Sequence, residues 1–313
     1  MTRWNRPLLA LSGIMTVLTV VAFVGLFVDD RIVTGAPVWL KVFKFAVSFA
    51  IYGVSIAWTL TVLPRRGRAM ERAAVVIAAA AAIEVGIITF QAMRGRMSHF
   101  NQATLFDAVL WQTMGATVMV LWFAQLFITV AATRRPIPDR TAAQGIRLGL
   151  AVSLLGMLVA VPMTLPFQSV SDAITGAHSV GVADGGPGLP LIGWSVDGGD
   201  LRIGHFAGLH ALQVLPLLAW ALTRLDGLGV RLGETTRVRL LGVAGAAYAA
   251  FTLGLMWQAL RGQPLLRPDA VTLAALGALV AGTVAAAVIV ILKGRRAVPG
   301  AEAGAAVRVH SLS

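Results

Sequence analysis

The stretch AAVVIAAAAAIEVGIITFQAM, residues 73–93, decides the fold of this chain. It holds one ionisable side chain, Glu84, in a run of about 20 residues, and a helix of that length spans the ~30 Å hydrocarbon core of a bilayer. Backbone amides find no water partner in lipid, so such a run forms a helix rather than a strand. Residues 73–93 are therefore predicted to be a transmembrane helix.

Seven more apolar runs of similar length occur along the chain. They lie at 8–28, 39–63, 107–131, 147–166, 205–223, 238–259 and 270–292. Hydrophobic residues make up 57% of the sequence, which is above the usual share of a soluble domain. The sequence thus predicts an all-α polytopic membrane protein with eight transmembrane helices and the lipid bilayer as its partner.

Lys and Arg are concentrated on alternate connections. With the N-terminus placed inside, 18 of the 26 Lys and Arg residues fall on inner segments and eight on outer ones. Cytoplasmic loops carry the excess of basic residues, so both termini are predicted to be cytoplasmic. The net charge of +12 then faces anionic lipid and does not indicate nucleic-acid binding. Abundant Arg, Ala and Gly suggest a GC-rich bacterial genome, and hence the bacterial plasma (inner) membrane.

The chain contains no Cys, which excludes disulfides, thiolate metal sites and iron–sulfur clusters. His205 and His210 are five residues apart, so on a helix they diverge and do not form the pair that one metal ion prefers. A b-type haem needs two His from facing helices, and residues 73–93 contain none. We assign no metal site and leave the cofactor open.

A repeated motif connects the two halves of the chain. Residues 90–95 read FQAMRG and residues 257–262 read WQALRG, and an Asp-Ala pair opens the next helix in both cases. Lys44-Phe-Ala on the second helix matches His205-Phe-Ala on the sixth. We predict a tandem duplication that yields two parallel four-helix units, related by an axis along the membrane normal. The Arg-Gly pair also has a plain structural interpretation, a helix cap followed by an Arg that reaches the headgroups.

The duplication sets the predicted domain boundaries. The two membrane units are residues 1–133 and 147–293, joined by a cytoplasmic linker at 134–146 and followed by a cytoplasmic tail at 294–313. The second unit carries a long outer connection at 167–204, whose dense Gly and Pro exclude a spanning helix. Apolar side chains within this connection favour a packed lid over a free loop.

This plan is similar to that of haem A synthase-type proteins, which have eight helices in two parallel four-helix halves with both termini inside. The four haem-ligating His and the outer Cys motifs of that family are absent here, so the resemblance implies topology and not activity. The strings RGRMSHFN (94–101) and GDLRIGHFAGLHALQ (199–213) also resemble stretches of uncharacterised bacterial multi-pass integral membrane proteins. That resemblance implies no activity either.

Polar side chains at membrane depth mark the candidate site. An ionised side chain at the bilayer centre costs about 2.5–3.5 kcal/mol, so such residues are usually paired and often functional. Glu84 lies near the middle of its predicted helix, and His210 lies about 10 Å below the outer end of its own. We predict that they form a proton-active catalytic pair. The predicted ligand-binding partners are Lys44, Gln91, Arg94, His99, His205 and Gln213.

Three functions stay open from the sequence. The first is a binding or catalytic protein whose outer-facing pocket takes a small hydrophobic ligand, lipid-like or quinone-like, beneath residues 167–204. The second is a proton-coupled small-solute transporter or channel, although the inner halves of the helices hold few polar residues besides Gln125. The third is a structural or assembly role. In that case Glu84 is a protonated carboxyl bonded to a neighbouring helix and Lys44 extends to the membrane interface.

Overall fold

The computed structural model describes residues 4–64, 66–165, 171, 173–225 and 232–296. Within these residues, eight helices are long and apolar enough to cross a membrane, as the sequence predicts. They are α1 (Arg6–Val28), α2 (Val38–Val62), α3 (Arg68–Met93), α4 (Leu105–Arg134), α5 (Arg140–Leu158), α6 (Leu201–Arg224), α7 (Glu234–Leu260) and α8 (Ala270–Arg296). The all-α polytopic fold class is confirmed.

The connections between the helices gather at two ends of the bundle. The loop end carries the connections 29–37, 94–104, 159–200 and 261–269. Four two-residue strands there form two antiparallel pairs, β1 (Ile32–Val33) with β2 (Ala36–Pro37) and β3 (Ser179–Val180) with β4 (Gly199–Asp200). The opposite end, which we call the terminal end, holds the start of α1, where Asn5 donates a hydrogen bond to Glu71 at 2.6 Å.

The predicted linker 134–146 is too long. Helix α4 continues to Arg134 and α5 already begins at Arg140. Asp139 accounts for the early start, because its side chain accepts a hydrogen bond from the backbone N–H of Ala142 at 2.9 Å and so caps the helix. A polar first turn thus precedes the apolar run from which the helix was predicted.

The predicted outer connection 167–204 is displaced in the same way. Helix α5 ends at Leu158, and a short 3-10 helix at Val161–Thr164 contains the Pro that stops it. At the other side, α6 begins at Leu201 because Asp200 caps it through the backbone N–H of Arg202. Most of the predicted tail, from 297 onward, lies outside the described residues.

Helix α3 lies at the centre of the first half because its side chains are small. It contacts α1, α2 and α4, and Ala74, Ile77 and Ala81 are fully buried between them. In lipid, helices associate through close van der Waals packing, which small residues permit. The same packing holds Glu84, one turn further along α3, away from the exterior.

Glycines bring α5 and α6 into backbone contact. A Cβ on Gly156 would overlap the backbone of Gly208, and a Cβ on Gly149 would lie 3.0 Å from the carbonyl oxygen of Ala211. Substitution of either glycine would separate the two helices. Because their backbones approach so closely, α5 and α6 are the most extensively packed pair of helices in the second half.

Large apolar side chains cover the exterior of the bundle. Phe27 is 73% exposed, Leu217 is 61% exposed and Val280 is 55% exposed. An apolar exterior of this extent is expected of a protein surrounded by hydrocarbon rather than by water. The protein is therefore membrane-embedded.

Helices α3 and α7 end in the same cap. Arg94 and Arg261 have nearly equal backbone angles, with φ and ψ of −76° and −7° against −81° and 5°. Each is followed by a glycine in the left-handed region, Gly95 at φ 66° and Gly262 at φ 72°. That conformation favours glycine, which lacks a Cβ. The repeated Arg-Gly pair therefore builds one helix end twice.

Each capping Arg also pairs with the Asp of the next helix. Arg94 Nη1 lies 2.7 Å from Asp107 Oδ1, and Arg261 Nη2 lies 2.5 Å from Asp269 Oδ2. The Asp107 side chain is fully buried, whereas that of Asp269 is 40% exposed. In both halves consecutive helices pack on one another, and superposition of the two units stays a prediction.

Asp107→Asn should lower the free energy of unfolding by about 1–3 kcal/mol, because the buried acceptor of Arg94 loses its negative charge. The matched substitution Asp269→Asn should cost less than ~1 kcal/mol, since its ion pair is exposed to screening. Thermal denaturation of the two variants in the same detergent compares them directly. Equal losses would show that burial of the first pair does not matter.

Candidate functional site

A cavity of about 840 Å³ lies between the two halves at the loop end. Its lining comes from α2, α3 and α4 of the first half, from the end of α5 and from α6 of the second, and from the connections at this end. Small-molecule sites typically measure about 300–1,000 Å³. Every His in the described part of the chain lines this cavity: His99, His178, His205 and His210.

Residues 185–195, which we call the strap, form the roof of the cavity. Two backbone hydrogen bonds fold it into a tight loop, from Leu189 N–H to the Trp194 carbonyl and from Gly193 N–H to the Leu189 carbonyl, both at 2.8 Å. Leu191 takes a left-handed conformation at φ 67° to make the turn. The connection expected to act as a lid therefore packs over the cavity.

Two cations attach the strap to the helices. Lys44 Nζ on α2 donates to the carbonyl of Ile192 at 2.9 Å. Arg202 Nη2 on α6 donates to the next carbonyl, that of Gly193, at 2.7 Å. Asp200, which is fully buried, orients the Arg202 guanidinium through two hydrogen bonds. The strap thus joins one helix from each half.

Glu84 is the buried acid of the cavity, with 3% of its surface exposed. Its Oε1 lies 3.6 Å from His99 Nε2, which is beyond hydrogen-bond distance. Its Oε2 has no hydrogen-bond partner among the described residues. An unsatisfied buried polar atom costs about 1–3 kcal/mol, so this oxygen indicates where an additional polar group fits.

His99 sits in an aromatic setting above Glu84. Its ring centroid lies 5.7 Å from that of Phe45 and 5.5 Å from that of Trp111. Burial, assisted by the positive charge of Lys41, lowers the pKa of His99 well below its usual 6.5. The ring is therefore neutral near pH 7, and its contact with Glu84 is not an ion pair.

His178 and Asp184 form a second polar pair beneath the strap. His178 Nδ1 lies 2.7 Å from Asp184 Oδ2, and the other carboxylate oxygen accepts from the Ser179 N–H at 2.8 Å. Burial opposes ionisation, yet the hydrogen bonds from His178 and Ser179 hold the pKa of Asp184 well below its usual range. This pair closes the connection between α5 and α6 and turns the His178 ring toward Phe100, at a centroid distance of 5.0 Å.

Lys41 is a cation of the cavity with free hydrogen-bonding capacity. Among the described residues it has no hydrogen-bond or ion-pair partner, and its ammonium lies 5.9 Å from the Phe45 ring centroid. The acidic charge that acts most strongly on it is that of Glu84. Lys41 and Lys44 are three residues apart, so both project from one face of α2 into the cavity.

Gln91 and Arg94, predicted to bind ligand, do not line the cavity. Gln91 donates to Asp107 Oδ1 at 2.9 Å, and the Arg94 guanidinium donates to the same oxygen. Their polar groups are thus used at the start of α4, where the carboxylate is buried. Both residues are structural in this fold.

His210 and Gln213 line the cavity but stand apart from Glu84. His210 is exposed, with Nδ1 3.4 Å from Gln213 Oε1, and Gln213 donates to Ser55 Oγ on α2 at 2.9 Å. The imidazole beside Glu84 is that of His99, so the predicted pair of Glu84 and His210 is not formed. Helix α6 turns His210 to the edge of the cavity instead of its centre.

His205 also lies on α6 and is more buried than His210. Its Nδ1 is 2.7 Å from the carbonyl oxygen of Gly156 and so links α6 to α5. The predicted ligand-binding residues Lys44, His99, His205 and Gln213 all line the cavity.

Sequence reasoning missed Lys41, His178, Asp184 and Arg202. The spacing of Lys41 and Lys44 was a usable signal, because positions three apart share a helix face. His178 and Asp184 carry no such signal, since they meet within an irregular connection. Arg202 was counted only as an outer basic residue, although its position beside the capping Asp200 was visible.

The cavity opens sideways between α4 and α5. Val118 and Met119 of α4 and Leu158 of α5 line it and are 38%, 51% and 45% exposed. Nearer the terminal end the gap closes, where Trp122 Nε1 donates to the Leu154 carbonyl at 3.3 Å. The lateral mouth is therefore apolar and lies at the level of the membrane-spanning helices.

A hydrogen-bonded floor separates the cavity from the terminal end. Tyr52 Oη donates to Gln125 Oε1 at 2.6 Å, and Gln125 Nε2 donates to Ser153 Oγ at 2.6 Å. Beyond this network the packing is apolar, with Ile56 and Ile128 fully buried.

Comparison with protein-family models, with curated proteins and with solved structures finds no match. The likeness to haem A synthase-type topology therefore stays a prediction. Among the described residues, no group of three or more His, Asp and Glu side chains is placed to hold a metal ion.

Lowering the pH from about 7.5 to about 5.5 should destabilise the protein, because His99 is buried in its neutral form. Its folded pKa lies below the unfolded value of 6.5, so the unfolded chain binds the proton more readily and stability falls as the pH drops through 6.5. The positive charges of Lys41, His178 and His205 also oppose protonation of His99.

Thermal denaturation across this pH range checks the prediction. His99→Gln should flatten the pH dependence, whereas His210→Gln, which removes an exposed His, should retain it. An unchanged slope in His99→Gln would assign the effect to another group.

Proposed function

We propose that this integral membrane protein binds a lipid-like or quinone-like ligand in the cavity beneath the strap. One observation carries the proposal. A single cavity has a polar part beneath the strap, where Lys41 and Glu84 have free hydrogen-bonding capacity, and an apolar lateral mouth between α4 and α5. An amphipathic molecule matches both regions at once. Its head meets the roof, and its chain leaves through the mouth.

The lateral mouth supports a ligand that arrives from the membrane. Val118, Met119 and Leu158 offer no hydrogen bonds to a polar solute, but they match a hydrocarbon chain. A molecule already dissolved in the bilayer reaches the roof through this mouth without crossing water.

The floor argues against the transporter or channel alternative. A through-path requires polar lining on both sides of the membrane. Here Tyr52, Gln125 and Ser153 satisfy one another, and the apolar packing beyond them blocks an aqueous route. A purely structural role, in turn, leaves the unpartnered Oε2 of Glu84 without a reason.

The proposal places the loop end on the outer side of the bacterial plasma membrane, with both termini in the cytoplasm. The support is the distribution of Lys and Arg, 18 of 26 of which belong to the terminal-end side. Glu84 and the strap then face the outer leaflet.

The orientation is testable because the chain contains no Cys. A single Cys placed at Leu266 should react with a membrane-impermeant maleimide in intact cells. A single Cys placed at Pro138, exposed at the terminal end, should react after the cells are opened. The opposite pattern would invert the topology.

Ligand entry is testable by narrowing the mouth. Gly115 lines the cavity, and a Cβ there meets nothing within 4 Å, so α4 can carry a side chain at this position and Gly115→Trp should narrow the mouth. In nanodiscs, photoreactive long-chain probes with a quinone or a phosphate head should label α4 and α5 saturably. We expect about tenfold less labelling in Gly115→Trp, equivalent to ~1.4 kcal/mol.

The matched control is Gly254→Trp. This glycine on α7 is exposed, has the same free space and does not line the cavity. Its labelling should equal that of the unaltered protein. Equal labelling of both Trp variants, or none that saturates, would refute the proposed binding site.

A further inference from the structure

We propose that the head group bound beneath the strap is a phosphate monoester carried on a long apolar chain. The proposal rests on the proposed function, since it names the class of ligand for the same cavity. Three features of the polar part of the cavity beneath the strap carry it: a pair of lysines, the start of α2, and the unpartnered oxygen of Glu84.

The lysines supply the positive charge. Lys41 has no hydrogen-bond partner among the described residues, and Lys44 uses one N–H on the Ile192 carbonyl. An ammonium has three N–H donors, so Lys44 can hold the strap and an anion together. The other charges are mostly matched, because Arg202 pairs with Asp200 and His178 with Asp184.

The beginning of α2 adds donors at the same place. Pro37 has no N–H and Val38 donates its own to the Arg31 carbonyl, which leaves the N–H of Leu40, a residue that lines the cavity beside the two lysines; no side chain caps this helix. The N–H groups and the dipole at a helix start favour an anion. The 25-residue length of α2 gives this end a full helix dipole.

Glu84 distinguishes a phosphate monoester from other anions. Its Oε2 is buried, lines the cavity and lacks a partner. A carboxylate ligand or a phosphate diester offers only acceptors, so it can bond to this oxygen only while Glu84 itself carries the proton. A phosphate monoester keeps a P–O–H group at neutral pH for part of the time, since its second pKa is about 6. That hydroxyl donates to Glu84 while the remaining oxygens accept from Lys41 and Lys44.

The chain of the ligand follows from the same geometry. The lateral mouth between α4 and α5 is apolar, and Trp111 and Met119 line the way from the roof to it. A free phosphate ion leaves that apolar lining uncovered. A single alkyl or prenyl chain covers it, which identifies the membrane as the source of the ligand.

The experiment measures the binding of four probes with one chain length to the full protein in neutral nanodiscs. The probes are dodecyl phosphate, its methyl diester, laurate and dodecanol, with inorganic phosphate as a fifth competitor. We expect dodecyl phosphate to bind at least tenfold more tightly than each of the others. Inorganic phosphate should displace it only at far higher concentration.

Variants assign the contacts. Lys41→Gln and Lys44→Gln should each weaken dodecyl phosphate about tenfold and leave dodecanol unchanged, and Lys41→Arg should restore binding. Glu84→Gln should remove the preference for the monoester over its methyl diester. Lys293→Gln is the control, because Lys293 is exposed at the terminal end of α8. This variant should bind all probes as the unaltered protein does.

Each contrary result has one meaning. Equal binding of all four probes would overturn the phosphate head while keeping the proposed lipid-like ligand. Displacement by inorganic phosphate at equal concentration would replace the lipid by a free anion. Saturable binding of no probe, together with equal labelling of the two Trp variants, would remove the proposed function itself.

Discussion

Hydrocarbon satisfies no polar group, and this constraint organises the whole molecule. Two buried carboxylates near the loop end have partners that the fold supplies: Asp107 binds Arg94, and Asp200 binds Arg202. The helices must therefore meet where these pairs form, and small residues on α3, α5 and α6 let them do so. Against this background the unpartnered Oε2 of Glu84 stands out. This contrast with the paired acids is the reason for which we propose that Glu84 meets a ligand.

The strap turns a gap between the two halves of the chain into a roofed cavity. Lys44 and Arg202 bind consecutive carbonyls of the strap, one from each half. These two contacts hold the roof over the cavity, which opens sideways between α4 and α5. The same lysine that holds the roof also faces the cavity. In the proposed complex, head-group recognition and the closed roof depend on this one residue, and the anion offsets the repulsion between Lys41 and Lys44.

The repeated helix ends show how two similar halves can serve different purposes. Arg94 and Arg261 close α3 and α7 with the same backbone geometry. The two halves carry different residues further back along these helices. Glu84 lies seven residues before Gln91, whereas Phe251 holds the matching place before Gln258. Phe251 is 40% exposed, whereas Glu84 is buried. The unpartnered acid of the cavity therefore comes from the first half, and the second half contributes the roof and one wall.

The sequence by itself determined the eight helices, the end of the bundle that carries most of the Lys and Arg, and the repeated caps. Hydrophobic length and local capping act within one segment, so they can be read without the fold. It also identified Glu84 as the acid at membrane depth, from cost alone. Only the tertiary structure decided that His99 and not His210 lies beside it, and that Gln91 belongs to Asp107. Spacing along a helix tells which residues share a face, but not which neighbour that face meets. That choice depends on the packing of helices and on an irregular connection, whose contacts follow no period in the chain.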